Sequence, residues 1–247
     1  MSSKPLNGKA KDLLDNEESF ESFIQSIGYH ICHKRTIPRR DAQSSFYADA
    51  GFSASSLNFL KGRRIFALWT HQLNAIKKAK EGHNVCITTS TSSGKTEIFQ
   101  VSAIEALEKS PKAKVLAVYP MKALNRQQVE RWEKTGYSVG KIDGDNSDME
   151  HRRTTLVNNR IVVMTPDVIH SFLLGRLNDV NIGNAIKDFI KDISLIIIDE
   201  LHLYKGVFGT NSAYLYRRLN NIWRLLRKDK GFPQYITASA TLPRDIQ

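Results

Sequence analysis

Short apolar runs alternate with segments of helical period along most of the chain, beginning at about Leu68. Strands that alternate with helices favour a parallel sheet with right-handed crossovers. The run Leu195–Ile198 is apolar at every position, as expected of a strand that is covered on both faces. We therefore predict an α/β fold in which helices cover both faces of a parallel sheet. Its predicted strands are Asn84–Thr88, Lys114–Tyr119, Ser138–Ile142, Arg160–Met164, Ser194–Asp199 and Gln234–Ser239.

The first 60 residues depart from this alternation and are interpreted as an N-terminal extension before an α/β domain over residues 61–247. A helix is predicted from Asp15 to Ile27, with an apolar face of Phe20, Phe23, Ile24 and Ile27. The next stretch is predicted to be an extended arm, because Pro38 restricts the residue before it. This arm is a candidate for an accessory contact through Lys34, Arg35, Arg39 and Arg40. Residues 41 to 60 show no clear period.

Two later helices carry more specific signals. Ser147-Asp-Met-Glu150 has the pattern of a capping box and predicts a helix with Ser147 as its N-cap. A helix from Asn211 to Arg227 is predicted from an apolar face of Leu215, Tyr216, Leu219, Ile222, Trp223 and Leu226. The basic residues on its other side are interpreted as a solvated face, and they are Arg217, Arg224 and Lys228.

Composition narrows the class of protein. Of 247 residues, 41% are apolar, which is typical of a soluble globular protein. The net charge of +11 favours a polyanionic partner such as nucleic acid. No apolar run approaches the ~20 residues that span a membrane, and the first residues lack the apolar core of a secretory signal. Two cysteines, Cys32 and Cys86, provide no disulfide framework, so we expect a cytoplasmic protein with no membrane partner.

A serine- and threonine-rich segment links the first strand of the predicted sheet to a helix predicted over Thr96–Leu107. It matches the phosphate-loop pattern G-x-x-x-x-G-K-[ST] except at the first glycine, where Thr89 stands. Backbone N–H groups at such a helix start bind anions, and the alternative is a turn that only caps the helix. We expect Lys95 to bind the β- and γ-phosphates of ATP and Thr96 to hold Mg²⁺. The predicted nucleotide site includes Thr89, Ser90, Thr91, Ser92, Ser93, Gly94, Lys95, Thr96 and Glu97.

Two acids, Asp199 and Glu200, follow a buried strand, at the sheet edge where ligands of open α/β sheets bind. We expect Asp199 to position Mg²⁺, and Glu200 to orient and polarise the water that attacks the γ-phosphate. His202 is predicted to couple the nucleotide state to the rest of the protein. Ser239 and Thr241, at the end of the last strand, are predicted to connect the acidic motif to a nucleic-acid site.

These motifs, in this order, resemble those of superfamily 2 helicases of the DEAD/DEAH type. The phosphate loop resembles motif I, Asp199-Glu-Leu-His202 resembles motif II as a DExH box, and Ser239-Ala-Thr241 resembles motif III. Leu68-Trp-Thr-His-Gln72 resembles the glutamine motif, which implies that Gln72 faces the adenine. The resemblance implies a RecA-like domain that uses ATP and Mg²⁺.

Two other segments resemble the motifs that hold the backbone of one nucleic-acid strand in such motors. Pro120-Met-Lys-Ala-Leu-Asn-Arg-Gln-Gln128 is similar to motif Ia, and Thr165-Pro-Asp167 is similar to motif Ib. Contacts of this kind position a strand without reading its sequence. The implied nucleic-acid contacts are Lys122, Arg126, Gln127 and Thr165.

From about residue 28 onward, the chain resembles the YprA/MrfA-like branch of the superfamily. The branch implies 3′-to-5′ movement on DNA, in genome repair or in bacterial defence. The segments that carry this resemblance are Ile37-Pro-Arg-Arg-Asp-Ala42, Asp143-Gly-Asp145 with Arg152 and Arg153, and Tyr204-Lys-Gly-Val-Phe-Gly209. The chain departs from the usual motif I at Thr89 and Ser92, which affects the expected flexibility of the loop and its affinity for nucleotide. The branch also carries a four-cysteine zinc site near its C-terminus, which the two cysteines of this sequence cannot supply.

Complete motors of this type have a second RecA-like domain, whose arginine finger accelerates related NTPases ~10³–10⁵-fold. Because the sequence ends soon after motif III, we expect it to need that domain or a partner subunit in trans, and to hydrolyse ATP slowly alone. Two alternatives stay open. One is a non-catalytic subunit or fragment that binds nucleotide and nucleic acid and needs a partner chain. The other is an RNA helicase, since no residue is identified that must read a 2′-OH.

Overall fold

The computed structural model describes residues 17–33, 43–89, 93–120, 125–145, 148–228 and 231–240. Contacts between residues divide the chain into two units, Met1–Ala42 and Gln43–Gln247. The smaller unit contains α1, and the larger unit contains every other helix and strand named below. Across the described ranges, every helix is too short or too polar to pass through a lipid bilayer.

The described helices have the following bounds: α1 (Glu17–Ser26), α2 (Ala54–Gly62), α3 (Thr70–Lys80), α4 (Lys95–Glu108), α5 (Asn125–Glu133), α6 (Met149–Asn158), α7 (Pro166–Val168), α8 (Gly183–Asp192) and α9 (Gly206–Arg227). A π-helix over Ile169–Leu174 continues α7, and single 3₁₀ turns lie at Ala48–Ala50 and Leu201–Leu203. The described strands are β1 (Ser44–Phe46), β2 (Ala67–Trp69), β3 (Val85–Thr88), β4 (Lys114–Val118), β5 (Val139–Lys141), β6 (Ile161–Met164), β7 (Ile193–Ile198) and β8 (Gln234–Ser239).

Six of these strands form one parallel sheet in the order β3-β8-β7-β4-β6-β5. They are the six strands predicted from the apolar runs, and each observed end lies within one residue of its predicted position. The predicted α/β fold is therefore confirmed. β3, β7 and β4 lie close together in the sheet, which brings the segments that follow them to one edge.

Helices cover both faces of this sheet. Successive side chains of a strand point to opposite faces, and in β4 Val115 and Ala117 join one core while Leu116 and Val118 join the other. The first core contains residues of α2, α3 and α4 together with Trp132 of α5. The second core contains residues of α6, α8 and α9 and of the π-helix. Burial on both sides explains the uninterrupted apolar sequence of β6 and of the run Leu195–Ile198 in β7.

The segment from residue 43 to 60 belongs to the larger unit, although its sequence was grouped with the N-terminal extension. Here β1 and β2 pair as an antiparallel ribbon that the sequence did not predict. Each strand has three residues, too few for an alternating pattern to be recognised. Ser53 caps α2, and its backbone N–H donates to Glu105 Oε1 of α4 at 2.7 Å. These bonds connect the start of the larger unit to the helix that begins at the phosphate loop.

Three local predictions have clear outcomes. The predicted N-terminal helix is confirmed as α1. The N-cap of α6 is Asp148 and not Ser147, since an Asp148 side-chain oxygen accepts a hydrogen bond from the Glu150 backbone N–H at 3.0 Å. The last predicted helix is confirmed as α9, which begins earlier than predicted, at Gly206, and its basic residues are exposed. The basic arm from Lys34 to Arg40 lies outside the described residues.

Candidate nucleotide and nucleic-acid site

A cavity of about 520 Å³ opens at the edge of the sheet where β3 and β7 end. Residues from four separate parts of the sequence line it. The start of α4 and the residue pair after β7 contribute Ser93, Gly94, Lys95, Thr96, Glu97, Asp199 and Glu200. The remaining lining residues are Arg63, Gln100, Gln127, Gln128, Arg131 and Lys134. The structure thus brings the two halves of the predicted ATP site to one cavity.

Gly94 is required by the backbone of the phosphate loop. Its φ of +77° lies in the left-handed region, which side chains other than glycine resist. A Cβ atom at this position would also collide with the side-chain amide of Gln72. Across the loop, the hydroxyls of Thr89 and Ser93 lie 2.6 Å apart. Thr89, which occupies the position of the first glycine in the phosphate-loop pattern, therefore makes its hydroxyl contact within the loop. Ser90, Thr91 and Ser92 lie outside the described residues.

Two side chains of α3 bond to backbone carbonyls of the phosphate loop. Gln72 is 4% exposed, and its Oε1 accepts a hydrogen bond from the Trp69 backbone N–H at 2.9 Å. Its Nε2 donates to the Gly94 carbonyl at 2.9 Å, and His71 Nε2 lies 3.0 Å from the Ser93 carbonyl. One N–H and one lone pair of the Gln72 amide remain for another partner. The adenine contact of Gln72 stays a prediction.

Lys95 has the most informative environment in the cavity. Its Nζ atom is buried and has no hydrogen-bond partner among the described residues. A buried ammonium without a partner is costly, and a phosphate group would supply the missing charge and acceptors. Thr96, the predicted Mg²⁺ ligand, lines the same cavity as Asp199. These residues fit an ATP–Mg²⁺ complex, because Mg²⁺ sites commonly combine few protein oxygens with substrate phosphates.

The two acids after β7 have distinct environments. Burial raises the pKa of the Asp199 carboxyl, and the charge of Glu200 adds to this effect. The opposing influences are a hydrogen bond from the Glu200 backbone N–H, at 2.8 Å, and the charges of Lys95 and Arg131. Glu200 has a φ of +53°, which costs a residue other than glycine roughly 1–2 kcal/mol. Backbone strain of this kind often accompanies functional sites.

His202 and Ser239 lie next to these acids. His202 Nδ1 is 3.2 Å from Glu200 Oε2, although the two atoms are not aligned as a hydrogen bond. Ser239 is 2% exposed and pairs with Thr88 at the end of the neighbouring strand. Both residues therefore contact the loops that surround the cavity, and their coupling roles stay predictions. Thr241 lies outside the described residues.

The wall formed by α5 was not predicted from the sequence. Gln127, Gln128, Arg131 and Lys134 line the cavity, and their spacing of three or four residues places them on one side of a helix. Gln100 Nε2 donates to the Arg131 carbonyl at 2.5 Å, which attaches α5 to α4. The sequence shows the polar side of this helix, but it does not show that this side faces the nucleotide cavity.

The residues predicted to contact nucleic acid differ in their positions and burial. Gln127 lines the nucleotide cavity, and its contact with nucleic acid stays a prediction. Thr165 is the N-cap residue of α7 and is 3% exposed, with no side-chain capping bond. Pro166 and Asp167 follow in the first turn, as a helix start favours. Lys122 lies outside the described residues, as does the side chain of Arg126.

Comparisons with known proteins agree with this arrangement. The chain is 34% identical over 225 residues to the ATP-dependent helicase HRQ1 of Saccharomyces cerevisiae, a match that covers 88% of this chain and 20% of that protein. It is 28% identical over its whole length to the uncharacterized ATP-dependent helicase YprA of Bacillus subtilis, of which it covers 31%. The chain thus spans between a fifth and a third of these relatives.

A similar fold is found in a solved helicase structure. The crystal structure of the DUF1998 helicase MrfA bound to DNA and AMPPNP superposes with a TM-score of 0.73 and 28% identity. That match covers 84% of this chain and 29% of the MrfA chain. The sequence model of the DEAD/DEAH box helicase family matches residues 69–247, which include the phosphate loop and the acidic motif. The chain therefore belongs to the DEAD/DEAH box helicase family.

Proposed function

We propose that this chain is the ATP-binding lobe of a superfamily 2 DNA helicase or translocase, which couples ATP hydrolysis to movement along a nucleic-acid strand. The observation that carries the proposal is the buried Lys95 ammonium, which has no partner in the described part of the chain and lies in a cavity shared with Asp199 and Glu200. An ordinary helix cap has no need of a buried cation. A triphosphate provides the negative charge that this cation lacks.

The residues of the cavity divide the chemical work among them. Lys95 and the backbone N–H groups at the start of α4 bind the phosphates. Thr96 and Asp199 are placed to hold Mg²⁺, which neutralises charge on the β- and γ-phosphates when it is bound. Glu200 orients the attacking water and accepts its proton. Glu200 lines the cavity with a left-handed backbone conformation, and its carboxylate lies beside His202.

The finer parts of the proposal come from the relatives. A solved relative is bound to DNA, which supports DNA as the track. The proposal also includes 3′-to-5′ movement and a role in genome repair or bacterial defence in the cytoplasm, which rest on the resemblance to the YprA/MrfA-like branch. The relatives are three to five times as long as the segment that they share with this chain. That length supports a second RecA-like lobe, or a partner subunit in trans, as the source of an arginine finger.

The proposal is tested by ATP hydrolysis in the presence of nucleic acid. Turnover by the chain alone should be slow. With a second RecA-like lobe supplied in trans, turnover should rise when single-stranded DNA is added and should rise less with RNA of the same length. Lys95→Ala is the matched control, and it should remove both the basal and the stimulated turnover. If neither DNA nor RNA raises turnover, the motor function is contradicted and a non-catalytic binding role takes its place. Stronger stimulation by RNA would instead assign the track to RNA.

A further inference from the structure

A second cavity of about 350 Å³ lies between the start of α7 and one side of α9. We refer to it as the α9 groove, and the side chains that matter here are Asp167, His170, Phe208, Asn211, Tyr214 and Arg218. It begins directly after β6, at the same edge of the sheet as the nucleotide cavity. No described residue of the phosphate loop or of the acidic motif contributes to its lining.

The groove combines aromatic and basic side chains. Tyr214 is 61% exposed, and Phe208, which is half-buried, lines the groove from the start of α9, six residues earlier. Arg218 lies one turn further along, and its Nη1 atom is 3.4 Å from His170 Nδ1. Aromatic rings that stack on bases, beside cations that meet phosphates, are the usual means of holding single-stranded nucleic acid.

The polar groups and the size of the groove point to a single nucleotide. Asn211 and Asp167 are exposed, and their side chains can bond to the edge of a base. Pro166 and Leu215 supply an apolar surface beneath them. A volume near 350 Å³ is at the lower end of the range for small-ligand pockets of about 300–1,000 Å³.

We propose that the α9 groove binds one nucleotide of a single strand, with its base against Tyr214 and Phe208 and its phosphate near Arg218 and His170. This inference rests on the proposed function, because it assumes that a strand lies along this edge of the sheet. It assigns a base-stacking site to the chain, in addition to contacts with the strand backbone. Stacking tolerates any base, so the site holds a strand without reading its sequence.

The groove also has a direct physical connection to the acidic motif. The ring centroids of Phe208 and Tyr204 lie 5.0 Å apart, and Tyr204 follows the 3₁₀ turn that begins after Glu200. A Cβ atom on Gly209 would lie 2.6 Å from the Tyr204 carbonyl oxygen, so glycine permits the first turn of α9 to pack this closely. One wall of the groove therefore packs against the segment that follows Glu200.

The test measures binding of the chain to a fluorescently labelled oligothymidylate by anisotropy, with an abasic strand of equal length as a second probe. Tyr214→Ala should weaken binding of the oligothymidylate on the order of 5- to 100-fold, which corresponds to the loss of one stacked base. It should leave binding of the abasic strand unchanged. Tyr214→Phe keeps the ring and should bind the oligothymidylate as the wild type does. Because Tyr214 is exposed, these variants should melt at the wild-type temperature.

Arg218→Ala tests the phosphate contact separately. It should reduce the slope of log affinity against log salt concentration by about 0.7, the contribution of one phosphate on a single strand. Arg217→Ala is the matched control, since Arg217 is also exposed on α9 but does not line the groove. Its slope should stay closer to that of the wild type.

Two results would overturn the inference in distinguishable ways. If the wild type binds the strand and Tyr214→Ala binds it equally well, the groove does not bind a base. A protein segment would then be the alternative occupant of the groove. The proposed function would survive that result. If the wild type binds neither DNA nor RNA, the proposed function fails, and the assignment of the groove fails with it.

Discussion

At the amino-terminal edge of the sheet, two buried or half-buried cations donate to the carbonyls of neighbouring helix ends, whereas at the opposite edge Lys95 has no described partner. Lys114 Nζ donates to three carbonyls at the end of α6, at 2.6 to 2.8 Å. Arg160 donates to three carbonyls at and beyond the end of α4, at 2.8 to 2.9 Å. The amino-terminal edge therefore satisfies these two cations within the chain, whereas Lys95 at the other edge has no partner among the described residues.

The direction of the elements explains this difference. Helices of a parallel α/β fold end where strands begin, so unpaired helix carbonyls collect at the amino-terminal edge and attract cations. Helices begin where strands end, and their free N–H groups at the carboxyl edge attract anions. In this chain Lys95 and the strained Glu200 lie at that second edge. The comparison indicates that one edge stabilises the fold and the other is kept for a ligand.

The largest expected effect is on turnover at the carboxyl edge. Glu200→Gln keeps the shape of the side chain but cannot accept a proton, so ATP hydrolysis should fall about 10²–10⁴-fold. ATP should still bind, because Lys95 and the phosphate loop are unchanged. Single-turnover hydrolysis and binding of a fluorescent ATP analogue measure the two effects. Turnover that survives this change would contradict the assignment of Glu200 as the base.

The next effect concerns stability at the amino-terminal edge. Lys114→Met fills the same space but removes three hydrogen bonds, so unfolding should become easier by about 3 kcal/mol. Nucleotide affinity should not change. Thermal melting measures the loss, at about 2–4 °C for each kcal/mol in a chain of this size.

Lys112→Met is the control for that experiment, because Lys112 lies two residues before Lys114 and is exposed. It should melt close to the wild type. Equal melting temperatures for the two variants would show that the buried bonds of Lys114 do not stabilise the fold, and the comparison of the two edges would fail.

The smallest effect concerns Asp199. Because burial raises its pKa in the folded chain, the native state holds this proton more tightly than the unfolded state does. Its contribution to stability is therefore lost as pH rises from the ordinary aspartate pKa through the raised one. Asp199→Asn should remove this pH dependence and raise the melting temperature of the nucleotide-free chain at neutral pH. Melting curves across pH measure it, and a lower melting temperature for the variant would contradict the cost of burial.

The sequence predicted the sheet well because its central strands are buried on both faces, and burial leaves an apolar run such as Leu195–Ile198. It did not predict the β1–β2 ribbon, whose exposed, three-residue β1 has no such run. It identified Lys95 and Asp199 from local spacing. The α5 wall was missed because its position depends on distant packing, such as the bond from Trp132 Nε1 to the Tyr119 hydroxyl at 3.1 Å.

Thermal melting of Lys95→Ala with and without an ATP analogue and Mg²⁺ tests the central claim most directly. At about 100 times the dissociation constant, the ligand should stabilise the wild type by about 2.7 kcal/mol. Without ligand, Lys95→Ala should melt at or above the wild-type temperature, since the buried ammonium makes no described bond and its burial is costly, and the ligand should not raise its melting temperature. A ligand shift that persists in Lys95→Ala, or a loss of stability as large as that of Lys114→Met, would contradict the account.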